Sequence, residues 1–244
     1  MNARRAVKRL AEKAGFQVTR LRAVEGGGYD AGYDIKMLLK DTRRPIVLDV
    51  GANTGQSVAL FRRLLPDCQI HCFEPGRSAY RELERNTAQL ADLRIHQVGV
   101  GATSGVRRFL ENDHSDMSSF LPGSDQGWGT ITGEFDVSVI TLDDYCSELG
   151  IERVDILKSD TQGYDLEVLK GAERLLCDGR VGLVYTEVIF SDLYEDLPGF
   201  DALYRFLVDR DMRLVALYNY AMRDGFAAWC DALFAAKMQP LRQG

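Results

Sequence analysis

The sequence predicts an α/β fold in which a mostly parallel sheet carries helices on both faces. Three observations point that way. From Ile46 onward, short apolar runs alternate with stretches of helical period, and strands separated by helices in this manner form right-handed crossovers and parallel neighbours. The first run ends in a glycine-containing turn that opens the first helix, Asp49-Val-Gly-Ala-Asn-Thr-Gly55, the place where such sheets bind ligands. The chain has 244 residues, 45% hydrophobic and 27% charged, which suits one large core and is unlike a disordered, collagen-like or coiled-coil chain.

Residues 1–44 read as an N-terminal helical arm or lid and residues 45–244 as the main domain. In the arm, Val7, Leu10, Ala11 and Ala14 fall at helical spacing among Arg4, Arg5, Lys8, Arg9 and Lys13, giving an amphipathic helix with a basic outer face. It would serve as a docking helix, a lid or a dimerisation arm, the last making a homo-oligomer. Gly26 to Gly28 form a flexible joint, and Tyr29-Asp30 recurs as Tyr33-Asp34 before a short helical run, Ile35 to Leu39.

After Pro45, Ile46 to Gly51 is the first strand with its turn, and Val58, Leu60, Phe61, Leu64 and Leu65 mark a helix that Pro66 stops. Gln69 to Phe73 is the second strand, Ser78 to Leu90 a helix, and Leu93 to Val100 the third strand. Val106 to Leu110 and Phe135 to Ile140 then read as an inserted antiparallel excursion around a polar loop long enough to be functional. Thr141-Leu-Asp-Asp144 has capping-box spacing and starts a helix to Leu149. The fourth strand, Val154 to Asp160, leads to a helix from Asp165 to Leu176, and the fifth, Val181 to Ile189, to one from Phe200 to Asp209. Arg213 to Leu217 and Ala227 to Ala236 complete seven strands. No long helix separates this last pair, so the final strand is expected to be antiparallel.

No window approaches the roughly 18 to 20 apolar residues of a membrane span; Asp231 and Lys237 interrupt even the run from Gly225 to Met238. The basic N-terminus lacks the continuous apolar stretch of a secretory signal, so the expected location is cytoplasmic. Cys68, Cys72, Cys146, Cys177 and Cys230 are odd in number and scattered, which reads as reduced thiols rather than a disulfide or zinc framework. A net charge of −6 argues against nucleic acid as the partner.

In the turn, the glycines are spaced G-x-x-x-G rather than G-x-G-x-x-G, and an acid precedes the first, so the turn suits a ligand without a pyrophosphate. An adenosyl cofactor carrying an amino acid and a sulfonium fits: Asp49 would face the ammonium end, and Glu74, at the tip of the second strand, would accept both ribose hydroxyls.

At this point the chain resembles the S-adenosylmethionine-dependent methyltransferases of the FkbM type. The resemblance runs from about Ile46 to Phe206 and rests on Leu48-Asp-Val-Gly-Ala-Asn-Thr-Gly55, Cys72-Phe-Glu-Pro75, Val139-Ile-Thr-Leu-Asp-Asp144 and Val154-Asp-Ile-Leu-Lys-Ser-Asp-Thr-Gln-Gly-Tyr-Asp165, leading into Glu167-Val-Leu-Lys-Gly-Ala172. It departs at Ser159, where an aliphatic residue is usual, and at Asp165, where Glu is commoner. The resemblance implies a class I methyltransferase (Rossmann-like) sheet of seven strands and O-methylation of a hydroxyl on a sugar, glycan or polyketide-type natural product. It places S-adenosylmethionine at Asp49, Gly51, Asn53, Gly55 and Glu74, with Val98 and Gly99 facing the adenine. Lys158, Asp160, Gly163 and Tyr164 would lie where methyl donor and acceptor meet, Tyr164 on the acceptor.

An alcohol is a poor nucleophile until its proton is removed or its oxygen binds a cation. Asp160 is one base, and His114, on the polar insertion, is another. Asp160 and Glu187, at neighbouring strand ends, form a pair for Mg²⁺ or another divalent cation. Trp128 and Phe120 would wall the acceptor pocket or anchor the loop, while His71 and His96 fall inside strands and read as packing groups. Two competing readings are a methyltransferase acting on nucleic acid or protein nitrogen, for which no Asn-Pro-Pro-Tyr-like segment is present, and a non-catalytic S-adenosylmethionine-binding protein.

Overall fold

The computed structural model describes residues 28–237. The helix expected over Arg4 to Ala14 lies outside the described residues. The first helix, α1 (Ala31–Leu38), starts at Asp30, whose carboxylate accepts from the backbone N–H of Tyr33, an N-cap.

The sheet strands are β1 (Ile46–Val50), β2 (Gln69–Phe73), β3 (Leu93–His96), β7 (Val154–Ser159), β8 (Val181–Ile189), β9 (Met212–Arg223) and β10 (Phe226–Ala236). Their spatial order is β3-β2-β1-β7-β8-β10-β9, all parallel except β10, which is antiparallel to both neighbours. The expected hairpin is therefore present, and it is longer than the apolar pattern indicated. Asp224 and Gly225 close it, both at positive φ, the backbone a two-residue hairpin turn demands.

Helices α2 (Gln56–Leu64) and α3 (Arg77–Thr87) join α1 on one face, over Val47, Ile70, Cys72 and Ile156. On the other face α4 (Leu142–Leu149), α5 (Asp165–Lys170), α6 (Glu173–Cys177) and α7 (Phe200–Val208) cover Leu48, Phe73, Leu157 and Val184. His71 and His96 belong to this second core, as expected of strand histidines: the Tyr145 hydroxyl lies 2.7 Å from His71 Nδ1 and 2.8 Å from His96 Nε2. Burial, then Arg94, holds His71 down at about 4, so the ring is neutral. Cys68, Cys72, Cys146 and Cys230 are buried thiols and Cys177 an exposed one, all free.

Three expectations are corrected. The third strand stops at His96, and residues Gly99–Val100 form a separate strand, β4, pairing with β6 (Ile131–Ile140), which in turn pairs with β5 (Gly105–Asn112) in a small second sheet. Gly99 in β4 also lets the Phe120 ring approach, since a Cβ there would stand 2.4 Å from its Cζ. The helix from Asp165 breaks at Gly171, where a Cβ would stand 2.2 Å from the carbonyl oxygen of Gly101. Thr141 does cap α4, accepting from Asp144 N at 3.1 Å, but the box does not close: the Asp144 carboxylate pairs with Arg174, and Asp143 accepts from the backbone N–H groups of Arg174 and Leu175 at the start of α6.

Gly171 thus seats the root of the insertion against the core. Gly171→Ala is expected to lower unfolding free energy by about 1–3 kcal/mol in urea denaturation, whereas the same change at Gly150, where nothing lies within 4 Å of an added Cβ, should act only through its backbone strain.

Candidate active site

The β1–α2 turn is held from both sides. Gly51 and Ala52 donate their N–H groups to the Phe73 carbonyl at the end of β2, at 2.9 and 3.2 Å, and Asp160, just past β7, donates to Val50 at 3.1 Å. Gly51 (φ 72°), Asn53 (φ 48°) and Gly55 (φ 99°) are left-handed, a conformation that favours glycine and tolerates asparagine. At Gly51 a Cβ would stand 1.9 Å from the Asp160 carbonyl oxygen, so the turn and the end of β7 touch through backbone alone.

A cleft opens above this contact, at the carboxyl ends of β1, β2 and β7. Gly51, Asn53, Glu74, Val98, Gly99 and Asp160 line it, as do Ser115, Asp116 and Phe120 of the insertion. Glu74 is 6% exposed. Its carboxylate accepts from Asn53 N and Gly76 N, both at 2.8 Å, which aims it and leaves lone pairs for further donors. Burial raises its pKa to about 7 against the lowering effect of those two N–H groups. Two buried polar atoms of cleft residues, Asn53 Oδ1 and Thr161 Oγ1, have no protein partner. Such atoms suit a polar ligand, since buried polar groups are otherwise paired.

Several sequence-derived site residues stand elsewhere. Asp49 does not line the cleft: it is fully buried, accepts from Ser57 Oγ at 2.5 Å, and sits 3.2 Å from Lys158 Nζ. It anchors the turn from beneath through the Lys158 ammonium and is not open to the ammonium of a ligand in the cleft. Lys158, read as catalytic, also donates to the Gly51 carbonyl at 2.8 Å and lies 3.7 Å from Asp160. Burial alone would depress its pKa, but Asp49 and then Asp160 outweigh that and hold the ammonium above its ordinary range. Gly55 starts α2 against Leu83 and does not line the cleft. Tyr164 is 8% exposed and packs against Phe120 at 4.9 Å, part of the core. His114 is exposed and outside the lining, although its neighbours Ser115 and Asp116 belong to it. Phe120 lines the cleft beside Val98 and Gly99, and Trp128 meets Trp229.

Asp160 and Glu187 do come together, but through an intermediary. Gln162 Nε2 lies 3.0 Å from Asp160 Oδ1 and 3.0 Å from Glu187 Oε2, and Tyr194 Oη donates to Gln162 Oε1 at 3.0 Å. Both amide hydrogens and the amide oxygen are used. Burial, then Asp160, Asp165 and Asp231, raises the Glu187 pKa well above the carboxylate range. Among the described residues no group of three His, Cys, Asp or Glu side chains is placed to hold a metal ion. Sequence reasoning missed Gln162. Its one signal was the dipeptide Gln162-Gly163, both residues of which are left-handed. The two departures from the family pattern prove to be partners: Ser159 Oγ donates to Asp165 Oδ1 at 2.5 Å, a hydroxyl and a shortened acid that satisfy each other in the core.

Residues 49–214 match the methyltransferase FkbM domain. The chain belongs to that family. Among the relatives of this FkbM-family chain, "2-O-methyltransferase NoeI" of Sinorhizobium fredii is 32% identical over 162 residues, covering 62% of this chain and 66% of the relative. "31-O-demethyl-FK506 methyltransferase FkbM" of Streptomyces tacrolimicus is 29% identical, covering 52% and 59%. The matches thus span less than two thirds of these relatives' lengths. The crystal structure of methyltransferase FkbM from Methylobacillus flagellatus superposes with a TM-score of 0.53 at 16% identity, over 88% of this chain and 46% of that one. The fold is that of the class I methyltransferases.

Removing Lys158 leaves Asp49 buried without a counter-charge. Lys158→Ala is therefore expected to lose about 3–5 kcal/mol of stability, read as a reduced urea midpoint at unchanged slope. A loss below about 1 kcal/mol, the range of exposed pairs, would show that the pair does not hold the turn.

Proposed function

We propose that this chain is an S-adenosylmethionine-dependent O-methyltransferase acting on a hydroxyl of a small molecule or glycan, of the sugar or polyketide-type class. The observation that carries the reading is Glu74, a buried acid at the tip of β2 fixed by two backbone N–H groups beside a left-handed glycine turn. In this reading Glu74 accepts the ribose hydroxyls, Val98, Gly99 and Phe120 enclose the adenine, and Gly51, Asn53 and Thr161 meet the amino-acid end. When bound, the cofactor supplies an electrophilic methyl on sulfur. The printed names of two relatives, a 2-O-methyltransferase and a 31-O-demethyl-FK506 methyltransferase, support oxygen as the acceptor atom.

Asp160 is the base in this reading. It lines the cleft with its side chain 44% exposed, and Gln162 and Lys158 orient its carboxylate. Asp160 would take the acceptor proton as the oxygen gains the methyl and the sulfur–methyl bond breaks, leaving the neutral thioether. Asp160 and Glu187 do not fit a shared divalent ion, because an oxygen of each is taken up by the Gln162 amide between them. Among the described residues no helix is long and apolar enough to cross a membrane.

Two outcomes follow. Since ribose hydroxyls donate to the ionised form of Glu74, and its carboxyl protonates as pH falls through about 7, calorimetric affinity for S-adenosylhomocysteine should decline from pH 8 to pH 6. Glu74→Gln should bind weakly at both pH values and show a flat profile; an equal slope in the variant would assign the titration to another group. Asp160→Asn is expected to cut turnover of a methylated acceptor by about 10²- to 10⁴-fold with cofactor-product affinity little changed. Wild-type protein that binds neither S-adenosylmethionine nor its demethylated product would overturn the whole reading.

A further inference from the structure

On the outer half of the sheet, beyond Asp160, one face carries groups to which the cofactor reading gives no role. Asp231 of β10 lies opposite Glu187 of β8, and Trp229 opposite Ile189; residues so opposed share a face. The Asp231 carboxylate accepts from Tyr185 Oη at 2.6 Å and from Asn219 Nδ2 at 2.7 Å. Asn219 reaches it because β9 is irregular at that point: the pairing slips between Trp229 and Asp231, and Asn219 takes φ 52°. A bulge re-aims a side chain in this way. Beside this polar pair, Trp229 meets Trp128 of the insertion with ring centroids 5.7 Å apart, and Trp128 remains 37% exposed.

The row extends back to the cleft. Asp231 faces Glu187, and Glu187 shares the Gln162 amide with Asp160. The three carboxyl groups stand on the neighbouring strands β10 and β8 and at the end of β7, a span of two strand spacings or about 10 Å. An apolar aromatic surface thus lies beside hydrogen-bonding oxygens, and the oxygens lead toward Asp160.

We propose that this face is the acceptor subsite and that it takes an uncharged carbohydrate of two or more pyranose rings, one ring on the Trp128–Trp229 pair and the reacting hydroxyl at Asp160. The inference rests on the methyltransferase reading and narrows its substrate class. A pyranose has a flat face of C–H groups that covers an aromatic ring, and a rim of adjacent hydroxyls that donate to carboxylate and amide oxygens. A macrolide presents few adjacent hydroxyls to the oxygens of Asp231 and Asn219 that their contacts with Tyr185 and with each other leave over. A nucleotide-linked or phosphorylated sugar would bring negative charge toward Asp160 and Asp231.

Trp128 and Trp229 are the two tryptophans of the chain, so intrinsic emission reports on this face directly. The protein, saturated with S-adenosylhomocysteine, is titrated with neutral trisaccharides of gluco, galacto, manno and 6-deoxy configuration, with the corresponding uridine-diphosphate sugars, and with a macrolide alcohol. At least one neutral trisaccharide should shift the emission and, with S-adenosylmethionine, gain a methyl group, while the charged sugars and the macrolide do neither. Asn219→Ala, at an exposed bulge, should raise the acceptor KM about tenfold with kcat and S-adenosylhomocysteine affinity unchanged, and Trp229→Phe should raise KM less than Trp229→Ala. Emission unmoved by every neutral trisaccharide, or a macrolide or nucleotide sugar as the better acceptor, overturns the inference. Failure to bind S-adenosylhomocysteine by calorimetry is a separate result and overturns the methyltransferase reading instead.

Discussion

One buried ammonium organises the carboxyl edge of this sheet. Lys158 stands opposite Asp49 across β1 and β7, and its three donors meet the Asp49 carboxylate, the Gly51 carbonyl and, at longer range, Asp160. Neither charge is tolerable alone in that place, since an unpaired buried ion costs several kcal/mol. The pair fixes geometry more than it adds stability, because desolvation offsets much of its attraction. With the turn tied down from below by Lys158 and from the side by the Phe73 carbonyl, Asn53 is held where its N–H meets Glu74.

That constraint divides the sheet into two working halves. Toward β2 and β3, the turn, Glu74 and the insertion make an enclosure with backbone donors and aromatic walls, suited to an adenosyl group. Toward β8 and β10, the groups are carboxylates, an amide and two indoles, suited to hydroxyls. Gln162 stands between the halves and touches both. Its amide bridges the Asp160 and Glu187 carboxyl groups, and its backbone carbonyl accepts from Ser119 Oγ at 2.8 Å, so the insertion is fastened to the same residue.

Much of this was legible in the sequence, for identifiable reasons. Short apolar runs located the seven strands of the main sheet, most directly β1, β2, β7 and β8, which are parallel, largely buried and therefore apolar almost throughout. The turn and Glu74 were legible because a left-handed glycine and an acid at a strand tip have few uses in such folds. Burial was not legible. Asp49 and Lys158 look like ligand-binding and catalytic groups when their strand partners are unknown, and each is taken up by the other. The break at Gly171 depends on a carbonyl seventy residues away in the chain, at Gly101, and the length of the final hairpin depends on bulges that disturb the apolar alternation. Ser159 and Asp165 looked like two separate irregularities until their hydrogen bond made them one.

The most direct test of the account is a crystal structure of the protein with S-adenosylhomocysteine. The account requires both ribose hydroxyls within about 2.6–3.2 Å of the Glu74 carboxylate, the adenine between Val98, Gly99 and Phe120, the sulfur turned toward Asp160, and the Lys158–Asp49–Gly51 contacts unchanged. A ligand bound away from Glu74, or a β1–α2 turn rebuilt to admit it with Asp49 exposed to its ammonium, would contradict it.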